Sequence, residues 1–164
     1  IMNIFMFPAP LLREKSREVR DIDGEFAEFL RSLEKLMYSN KGCVGIAAPQ
    51  TGVLKRAVVV DSSLNKKTEK SSGRLIMINP AILRKEGISV NREGCLSVPD
   101  YTGNVVRAKK AAVEYLDING KKKILEAEGF EAVIIQHEMD HLDGVLFIDR
   151  IRSVKRDLFR RKNY

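Results

Sequence analysis

The sequence is poor in cysteine and contains no long apolar run. Its two cysteines, Cys43 and Cys95, are too few for a disulfide scaffold, so a reducing compartment is the simplest expectation. No apolar run approaches the roughly 20 residues that a membrane-spanning helix needs. Residues 2–8 lack the basic segment and the small-residue cleavage site of a secretory signal. These absences predict a cytoplasmic protein without membrane attachment.

The composition predicts one globular domain over residues 1–164, because hydrophobic residues make up 44% and charged residues 31% of the chain. The net charge is +7, and residues 150–164 form a basic C-terminal tail. A helix over residues 153–162 is predicted there. The tail either attracts RNA phosphates or is a solvated helix face, and both interpretations stay open. Its basic residues are Arg150, Arg152, Lys155, Arg156, Arg160, Arg161 and Lys162.

Periodicity and capping residues predict two helices. Asp23 is a candidate N-cap for a helix over residues 24–37, whose apolar residues fall on one face. The second helix starts at Gly129 and ends near Gly144. Its apolar stripe is continued by His137 and His141, which are therefore expected to point inward.

Short apolar segments predict the strands. The segment 75–78 is expected to end at Asn79-Pro80, and Asn119-Gly120 is typical of a type I′ hairpin turn. Residues 62–73 are polar and predict a flexible surface loop. The strands precede the second helix without regular βαβ alternation, so the predicted class is α+β, with mixed or antiparallel sheets around a central metal-binding helix. The predicted strands are 57–60, 75–78, 105–118 and 123–126.

Both histidines of the sequence lie in one motif, His137-Glu138-Met139-Asp140-His141. On a helix, residues i and i+4 share a face, so two imidazoles can reach one metal ion. Glu138 then stands beside the ion, where it can take a proton from water. The alternative is a pair of core or surface histidines satisfied by hydrogen bonds. The metal is favoured because buried imidazoles beside a carboxylate need partners.

Two histidines leave a metal site short of a protein ligand. Phe147 stands where a metzincin would have its third histidine, and no glutamate follows His141. The missing ligand is therefore expected upstream, where a cysteine thiolate would suit zinc or ferrous iron. Cys95 and Cys43 are both candidates on chemistry alone, and either could instead be a small buried apolar residue.

Three segments together resemble the signature motifs of peptide deformylase, in order and in spacing, over nearly the whole chain. These are residues 45–50 (GIAAPQ), 93–97 (EGCLS) and 136–141 (QHEMDH). The resemblance implies that Cys95, His137 and His141 hold the metal, and it favours Cys95 over Cys43. The family pattern usually has glycine where this chain has Cys43, which could place an oxidisable thiol near the site.

The resemblance also implies the reaction. The enzyme would remove the formyl group from the N-terminal methionine of new polypeptides and release formate. Glu138 would be the proton carrier, while the Gln50 side-chain amide and the Leu96 backbone N–H would stabilise the oxyanion. The implied cofactor is one Fe²⁺ ion per chain, which Zn²⁺ or another divalent metal can replace.

The implied substrates are formyl-methionyl nascent peptides, bound in an extended form along Gly45 and Gly94. Four residues are candidates for the methionine pocket, although helix periodicity alone fits ordinary core packing equally well. Arg107 is either an ion-pair partner or a substrate contact. The pocket candidates are Val44, Phe130, Val133 and Ile134.

Two other functions compete with the deformylase. A general metallopeptidase would cleave internal peptide bonds, but neither of its familiar downstream third ligands is present. A metal-stabilised RNA- or ribosome-binding module would not require Glu138 or Gln50. The basic tail is nevertheless a candidate for docking a deformylase on the ribosome. The expected location is the cytoplasm of a bacterial-type cell, with an organelle as the alternative.

Overall fold

A computed structural model describes residues 2–162, which form two antiparallel sheets packed around a central helix. The larger sheet has the strand order β1-β2-β3-β6-β7 and the smaller sheet has the order β4-β5-β8. This confirms the predicted α+β class. The strands are β1 (Gly45–Ala47), β2 (Ala57–Asp61), β3 (Arg74–Glu86), β4 (Ser89–Cys95), β5 (Val98–Arg107), β6 (Lys110–Leu116), β7 (Lys122–Glu128) and β8 (Leu158–Arg160).

The three α-helices are α1 (Gly24–Ser39), α2 (Gly129–Leu142) and α3 (Val154–Asp157). The Asp23 side chain caps α1 by accepting a hydrogen bond from the Phe26 N–H at 2.8 Å, as predicted. α1 buries one apolar face against the larger sheet, whereas α2 is buried on nearly all sides between the sheets. Because α2 occupies the centre, its polar side chains must find their partners inside the protein.

The prediction that a strand ends at Asn79-Pro80 was wrong. β3 continues through both residues with a register shift between Ile78 and Ala81. Asn79 takes the left-handed conformation, with φ of 51°, and its side-chain amide exchanges two hydrogen bonds of 2.8 Å with the Val19 backbone. The proline therefore lies in a bulge, where the missing N–H costs no ladder hydrogen bond.

The single predicted strand over residues 105–118 is in fact two strands in different sheets. Arg107 ends β5 in the smaller sheet, and Lys110 begins β6 in the larger one. The crossover is held by the Gln136 side chain, which bonds the N–H and the C=O of Ala108 at 3.0 Å each. Local alternation of apolar residues does not reveal which sheet each half joins.

The predicted hairpin after β6 is present, but its turn is not type I′. Gly120 has φ of 79°, whereas Asn119 lacks the positive φ that a type I′ turn requires. The Gly120 N–H donates to the Asp117 C=O, and the Asp117 N–H donates to the Lys121 C=O, both at 2.9 Å. This pattern is a type I turn closed by a left-handed glycine.

The predicted helix over residues 153–162 was also wrong. The chain makes only the short α3 and then β8, which pairs antiparallel with β5 from Tyr101 to Gly103. The tail therefore fills the free edge of the smaller sheet instead of extending into solvent. Residues 163 and 164 of the tail lie outside the described residues.

No helix within residues 2–162 is long and apolar enough to cross a membrane.

Candidate metal centre and its pocket

The fold brings together three potential metal ligands from two elements. Cys95 is the last residue of β4, while His137 and His141 lie one turn apart on α2. One ligand atom from each falls within 4.8 Å of the others, and all three residues are buried. The Cys95 sulfur lies 3.3 Å from His141 Nε2. Cys43 is not part of this group within residues 2–162.

Glu93 fixes the orientation of His137. Its carboxylate lies 2.8 Å from His137 Nδ1, and Arg107 donates two hydrogen bonds of 2.8 Å to the same carboxylate. Burial opposes ionisation of Glu93, but its hydrogen bonds with Arg107 and His137 lower its pKa to about 2. A carboxylate on one ring nitrogen of a ligating histidine sets the tautomer and leaves the other nitrogen for the metal.

Arg107 is thus an ion-pair partner, and it does not line the cavity beside Cys95 and His137. It is 5% exposed and also pairs with Asp140 on α2, while Arg150 pairs with Asp140 from the other side. One member of the basic tail, Arg150, is therefore already neutralised inside the fold.

Phe147 also supports the centre, since its ring stacks on His137 with centroids 6.1 Å apart.

The chemistry of the three residues fits a divalent metal ion. Burial disfavours the Cys95 thiolate, but the neighbouring His141 and His137 hold the pKa of this thiol well below its usual value. The thiolate is the form that binds metals. Bond lengths of about 2.3 Å to sulfur and about 2.0 Å to nitrogen place such atoms about 3.5 Å apart around a tetrahedral ion. The sulfur–nitrogen distance of 3.3 Å is close to that value.

Glu138 faces the same space. Burial raises the pKa of its carboxyl to about 7, against the opposing effect of His137 and His141. Its Oε1 is buried and has no hydrogen-bond partner among the described residues. A buried carboxylate oxygen without a partner is costly in a purely structural role. The atom is therefore free to interact with a bound water or substrate.

Gly45 allows β1 to run directly against Glu138. A Cβ atom at Gly45 would lie 2.6 Å from Glu138 Oε2 and 2.9 Å from Ile134 Cγ2, both closer than real Cβ contacts. Glycine is needed at position 45 because there is no space for a side chain. Its backbone conformation does not require glycine, since the φ of Gly45 is not positive. The sequence motif identified Gly45 as a point of close approach, but it did not identify the Glu138 side chain as the neighbour.

Gln50 lies beside the cluster on the opposite wall. Its Oε1 accepts a hydrogen bond from the Ala47 N–H at 2.9 Å, which fixes the amide orientation. Its Nε2 donates to Ser97 Oγ at 3.0 Å and points at the Cys95 sulfur at 3.6 Å. Leu96, the neighbour of the potential ligand Cys95, lines the same cavity.

Cys43 lines the cavity near Gly45, but its chemistry differs from that of Cys95. Burial raises the pKa of its thiol to about 12, and the neighbouring Glu138 acts in the same direction. Its sulfur lies 3.2 Å from the Gly45 carbonyl oxygen as a hydrogen-bond donor. A thiol near the site is present as expected, but its high pKa disfavours the thiolate that oxidants attack.

Two of the three potential ligands, Cys95 and His137, line a pocket of about 300 Å³. Every residue that the sequence placed in substrate binding lines it: Val44, Gly45, Gly94, Phe130, Val133 and Ile134. Phe130, Val44 and Ile134 also pack against the core of the larger sheet. Reasoning from the sequence did not place four basic residues on the pocket wall, although two of them lie close to the motifs: Lys41, Lys67, Arg92 and Arg161.

Comparisons with known proteins agree on one family. Residues 1–157 match the family model described as polypeptide deformylase. A peptide deformylase of Thermodesulfovibrio yellowstonii is 41% identical over 162 residues, which cover 99% of this chain and 96% of that protein. One from Rhizobium meliloti is 43% identical over 163 residues, covering 99% of this chain and 91% of that protein.

Solved structures give the same result. The structure of the Thermotoga maritima peptide deformylase has a TM-score of 0.85 and 36% identity, covering 93% of this chain and 99% of that chain. That of the Ehrlichia chaffeensis peptide deformylase in complex with actinonin has a TM-score of 0.87 and 35% identity, covering 95% of this chain and 91% of that chain.

Proposed function

The chain belongs to the polypeptide deformylase family, and we propose that Cys95, His137 and His141 hold its metal ion while Glu138 transfers the protons. It is a metal-dependent hydrolase that removes the formyl group from the N-terminal methionine of new polypeptides. The observation that carries the residue assignment is the buried Cys/His/His cluster with an unpartnered Glu138 oxygen beside it.

The proposed ion is Fe²⁺, one per chain, with Zn²⁺ or another divalent metal as a substitute. A cysteine and two histidines suit both ions, and the low pKa of the Cys95 thiol supports binding as thiolate. When bound, the ion supplies Lewis acidity, so that a water molecule loses its proton near neutral pH. Metal analysis after anaerobic purification would identify the ion that the cell loads.

Glu138 is the proposed proton carrier. Burial raises the pKa of its carboxyl, which favours a group that accepts a proton from the attacking water and later gives it up. The water oxygen forms a bond to the formyl carbon, and the bond from that carbon to the methionine nitrogen breaks. Glu138 protonates this nitrogen, so the products are formate and a free amino terminus.

Gln50 and Leu96 are the proposed oxyanion donors. The Gln50 amide is held by Ala47 and Ser97, and a fixed donor stabilises developing charge without reorganising. The Leu96 backbone N–H would provide a second donor next to the ligand Cys95. Losing one donor of this kind costs on the order of 10²–10³-fold in turnover, so Gln50→Ala should fall in that range.

The proposed methionine pocket is the apolar part of the cavity, formed by Val44, Phe130, Val133 and Ile134. Gly45 and Gly94 would let the peptide backbone approach as an extended strand. The cavity volume of about 300 Å³ lies at the lower end of the range for small-ligand sites, which suits one side chain with its formyl group.

The direct test is formate release from a short formyl-methionyl peptide, with protein purified anaerobically in the presence of Fe²⁺. Rapid release, with an acetylated analogue left largely intact, would support the reaction and its selectivity for a small acyl group. If metal-replete protein released no formate from the peptide, the proposed assignment of roles would be wrong.

Two variants separate metal binding from proton transfer. Glu138→Ala should retain the metal and lose turnover, because the carboxylate stands beside the ligands. Cys95→Ala should lose both metal and turnover. Metal content and formate release would be measured on the same samples. A Glu138→Ala protein that lacked metal would contradict the division of roles.

We further propose a cytoplasmic location, for which the bacterial relatives are the support, and ribosome docking through the tail. Point substitutions suit a test of the tail, because several tail residues are part of the fold. Arg150 is paired with Asp140, and residues 158–160 pair with β5. Arg152, Lys155 and Arg156 are exposed. Their joint replacement by glutamine should abolish co-sedimentation with ribosomes at low salt, and unchanged co-sedimentation would exclude this docking surface.

A further inference from the structure

The wall of the pocket carries a net positive charge. The positive charges come from four separate parts of the chain. Lys41 follows α1, Lys67 lies on the loop after β2, Arg92 lies on β4 and Arg161 follows β8. All four residues are exposed. We call this set the cationic rim.

No member of the cationic rim forms an ion pair with another residue in the described range 2–162. The acidic residues that line the described pocket are Glu93 and Glu138, and both are buried. Glu93 is already paired with Arg107. The rim charges are therefore available to a ligand that enters from solvent.

Neighbouring strands hold the Arg92 side chain of the rim and position the backbone at Arg161. The Arg92 guanidinium lies 3.5 Å over the Phe159 ring centroid, and its Nε donates to Thr102 Oγ1 at 3.0 Å. The Arg161 backbone N–H donates to the Asp100 C=O at 2.7 Å, which positions the main chain from which this guanidinium extends. A side chain that is fixed in advance loses less conformational entropy when it binds a partner.

The rim lines the same pocket as Cys95, His137 and the candidates for the methionine pocket. The Arg161 guanidinium carbon is 3.6 Å from the position of a Cβ on Gly94, the residue next to the ligand Cys95. On the opposite wall, the Lys67 ammonium lies 5.7 Å from the ring centroid of Phe130, a candidate for the methionine pocket. When methionine fills the pocket, the residues after it have to cross the rim.

We propose that the cationic rim is a subsite for carboxylate side chains on the residues that directly follow formylmethionine. The enzyme then acts faster on chains with Asp or Glu in these positions than on chains with Asn, Gln or Lys. The inference rests on the proposed function, because it assumes that the formyl group reaches Glu138. One exposed ion pair contributes little, but several cations that line one pocket can act together on one carboxylate.

The experiment compares two formylated tripeptides that differ by one charge, formyl-Met-Asp-Ser and formyl-Met-Asn-Ser, with metal-replete enzyme. At low ionic strength, kcat/KM for the Asp peptide should be about threefold to tenfold higher, and the difference should lie in KM. At 0.5 M salt the ratio should approach one, because exposed charges are screened within a few ångströms. A formyl-Met-Lys-Ser peptide should be slower than the Asn peptide.

Arg161→Gln removes one rim charge and should lower the Asp-to-Asn ratio. Lys41→Gln removes another charge from a separate element and should do the same, so the test does not depend on the folding of one variant. The matched control is Lys121→Gln, because Lys121 is an exposed cation at the β6–β7 turn and does not line the pocket. This control should keep the wild-type ratio, and a drop equal to that of Arg161→Gln would overturn the proposal.

The other outcomes of the peptide comparison distinguish failure of the carboxylate subsite from failure of the proposed function. Hydrolysis of both peptides at equal rates would overturn the carboxylate subsite and leave the proposed function intact. No hydrolysis of either peptide would overturn the proposed function and the inference with it. Equal rates together with competitive inhibition by a short RNA oligonucleotide, relieved by Arg161→Gln, would reassign the rim to nucleic-acid binding.

Discussion

Individual residues at this site are constrained by space as much as by chemistry. Gly45 and Glu138 occupy neighbouring positions on β1 and α2 with no room between them. Two residues take no direct part in the proposed reaction but support the site. Arg107 orients Glu93, and Phe147 packs on His137. Side chains behind the ligands therefore determine where the ligand atoms lie.

Gly45→Ala should lower turnover by about 10²-fold while the protein stays folded, because the added methyl group displaces Glu138 from its position. The measurement is kcat for a formyl-methionyl peptide together with metal content and circular dichroism. Gly24→Ala is the matched control, since a Cβ there meets nothing within 4 Å. A Gly45→Ala enzyme with wild-type kcat would show that Glu138 tolerates displacement.

Cys43 should react slowly with iodoacetamide at pH 8, since a thiol with a pKa of about 12 is almost entirely protonated at that pH. Mass spectrometry of native, metal-replete protein would follow the labelling. The same protein in urea should be labelled at both cysteines, which provides the control. Alkylation of native Cys43 at the rate of free cysteine would contradict the high pKa.

At the scale of elements, the polar segment 62–73 is more firmly held than its composition suggests. Glu131, in the first turn of α2, is 3% exposed and binds both ends of the segment. It accepts hydrogen bonds from Ser62 Oγ at 3.2 Å, from the Ser72 N–H at 2.7 Å and from Ser72 Oγ at 2.8 Å. The prediction of a flexible loop thus overlooked an anchor that is 59 residues away along the chain from Ser72.

Glu131→Ala should increase hydrogen exchange in residues 62–73, because the Ser72 N–H loses its acceptor. Glu131→Gln keeps one acceptor oxygen and should have a smaller effect. Exchange in the β6–β7 turn serves as the internal reference, since that turn does not contact Glu131. Equal protection of residues 62–73 in wild type and Glu131→Ala would show that other contacts hold the loop.

Local sequence patterns correctly predicted the features that depend only on residues nearby in the chain. The cap at Asp23 and the face of α1 were correct because both depend on residues within one helix. The bulge at Asn79 depends on the distant Val19, and the division of residues 105–118 depends on two different partner strands. The tail became β8 because β5 offered a free edge, which a charge pattern does not show.

The grouping of the proposed site residues was easier to predict than the strands. The sequence placed Glu138 and the two histidines together from their spacing alone, and the third ligand required the resemblance of three motifs. The cationic rim was missed because its members are close only in space. Arg161, for example, reaches Gly94 only after β8 has paired with β5.

Across the whole molecule, one ionic network connects the smaller sheet to the central helix α2. Glu93 of β4, Arg107 of β5, Asp140 of α2 and Arg150 near the tail form a continuous chain of ion pairs. The side chain of Arg107 is 3% exposed and pairs with both carboxylates, and Asp140 has Arg150 as a second partner. The network joins the smaller sheet to the helix that carries the histidines.

Arg107→Met should destabilise the protein by about 3–5 kcal/mol, because it leaves the buried Glu93 carboxylate without its main partner. Urea unfolding would measure the loss. Arg84→Met is the control, since Arg84 pairs with Glu126 at the exposed surface and its removal should change the unfolding midpoint little. Equal effects of the two substitutions would show that the buried network contributes no more than a surface pair.

The position of β8 gives the assembly of the site an order in time. A ribosome adds Arg161 exactly 20 residues after His141, which at about 5–20 residues per second is a delay of about 1–4 s. The residues proposed to bind the metal and transfer the proton are thus all synthesised before β8 and Arg161. A nascent chain of this protein therefore contains the whole proposed metal site before it contains the last arginine of the proposed carboxylate subsite.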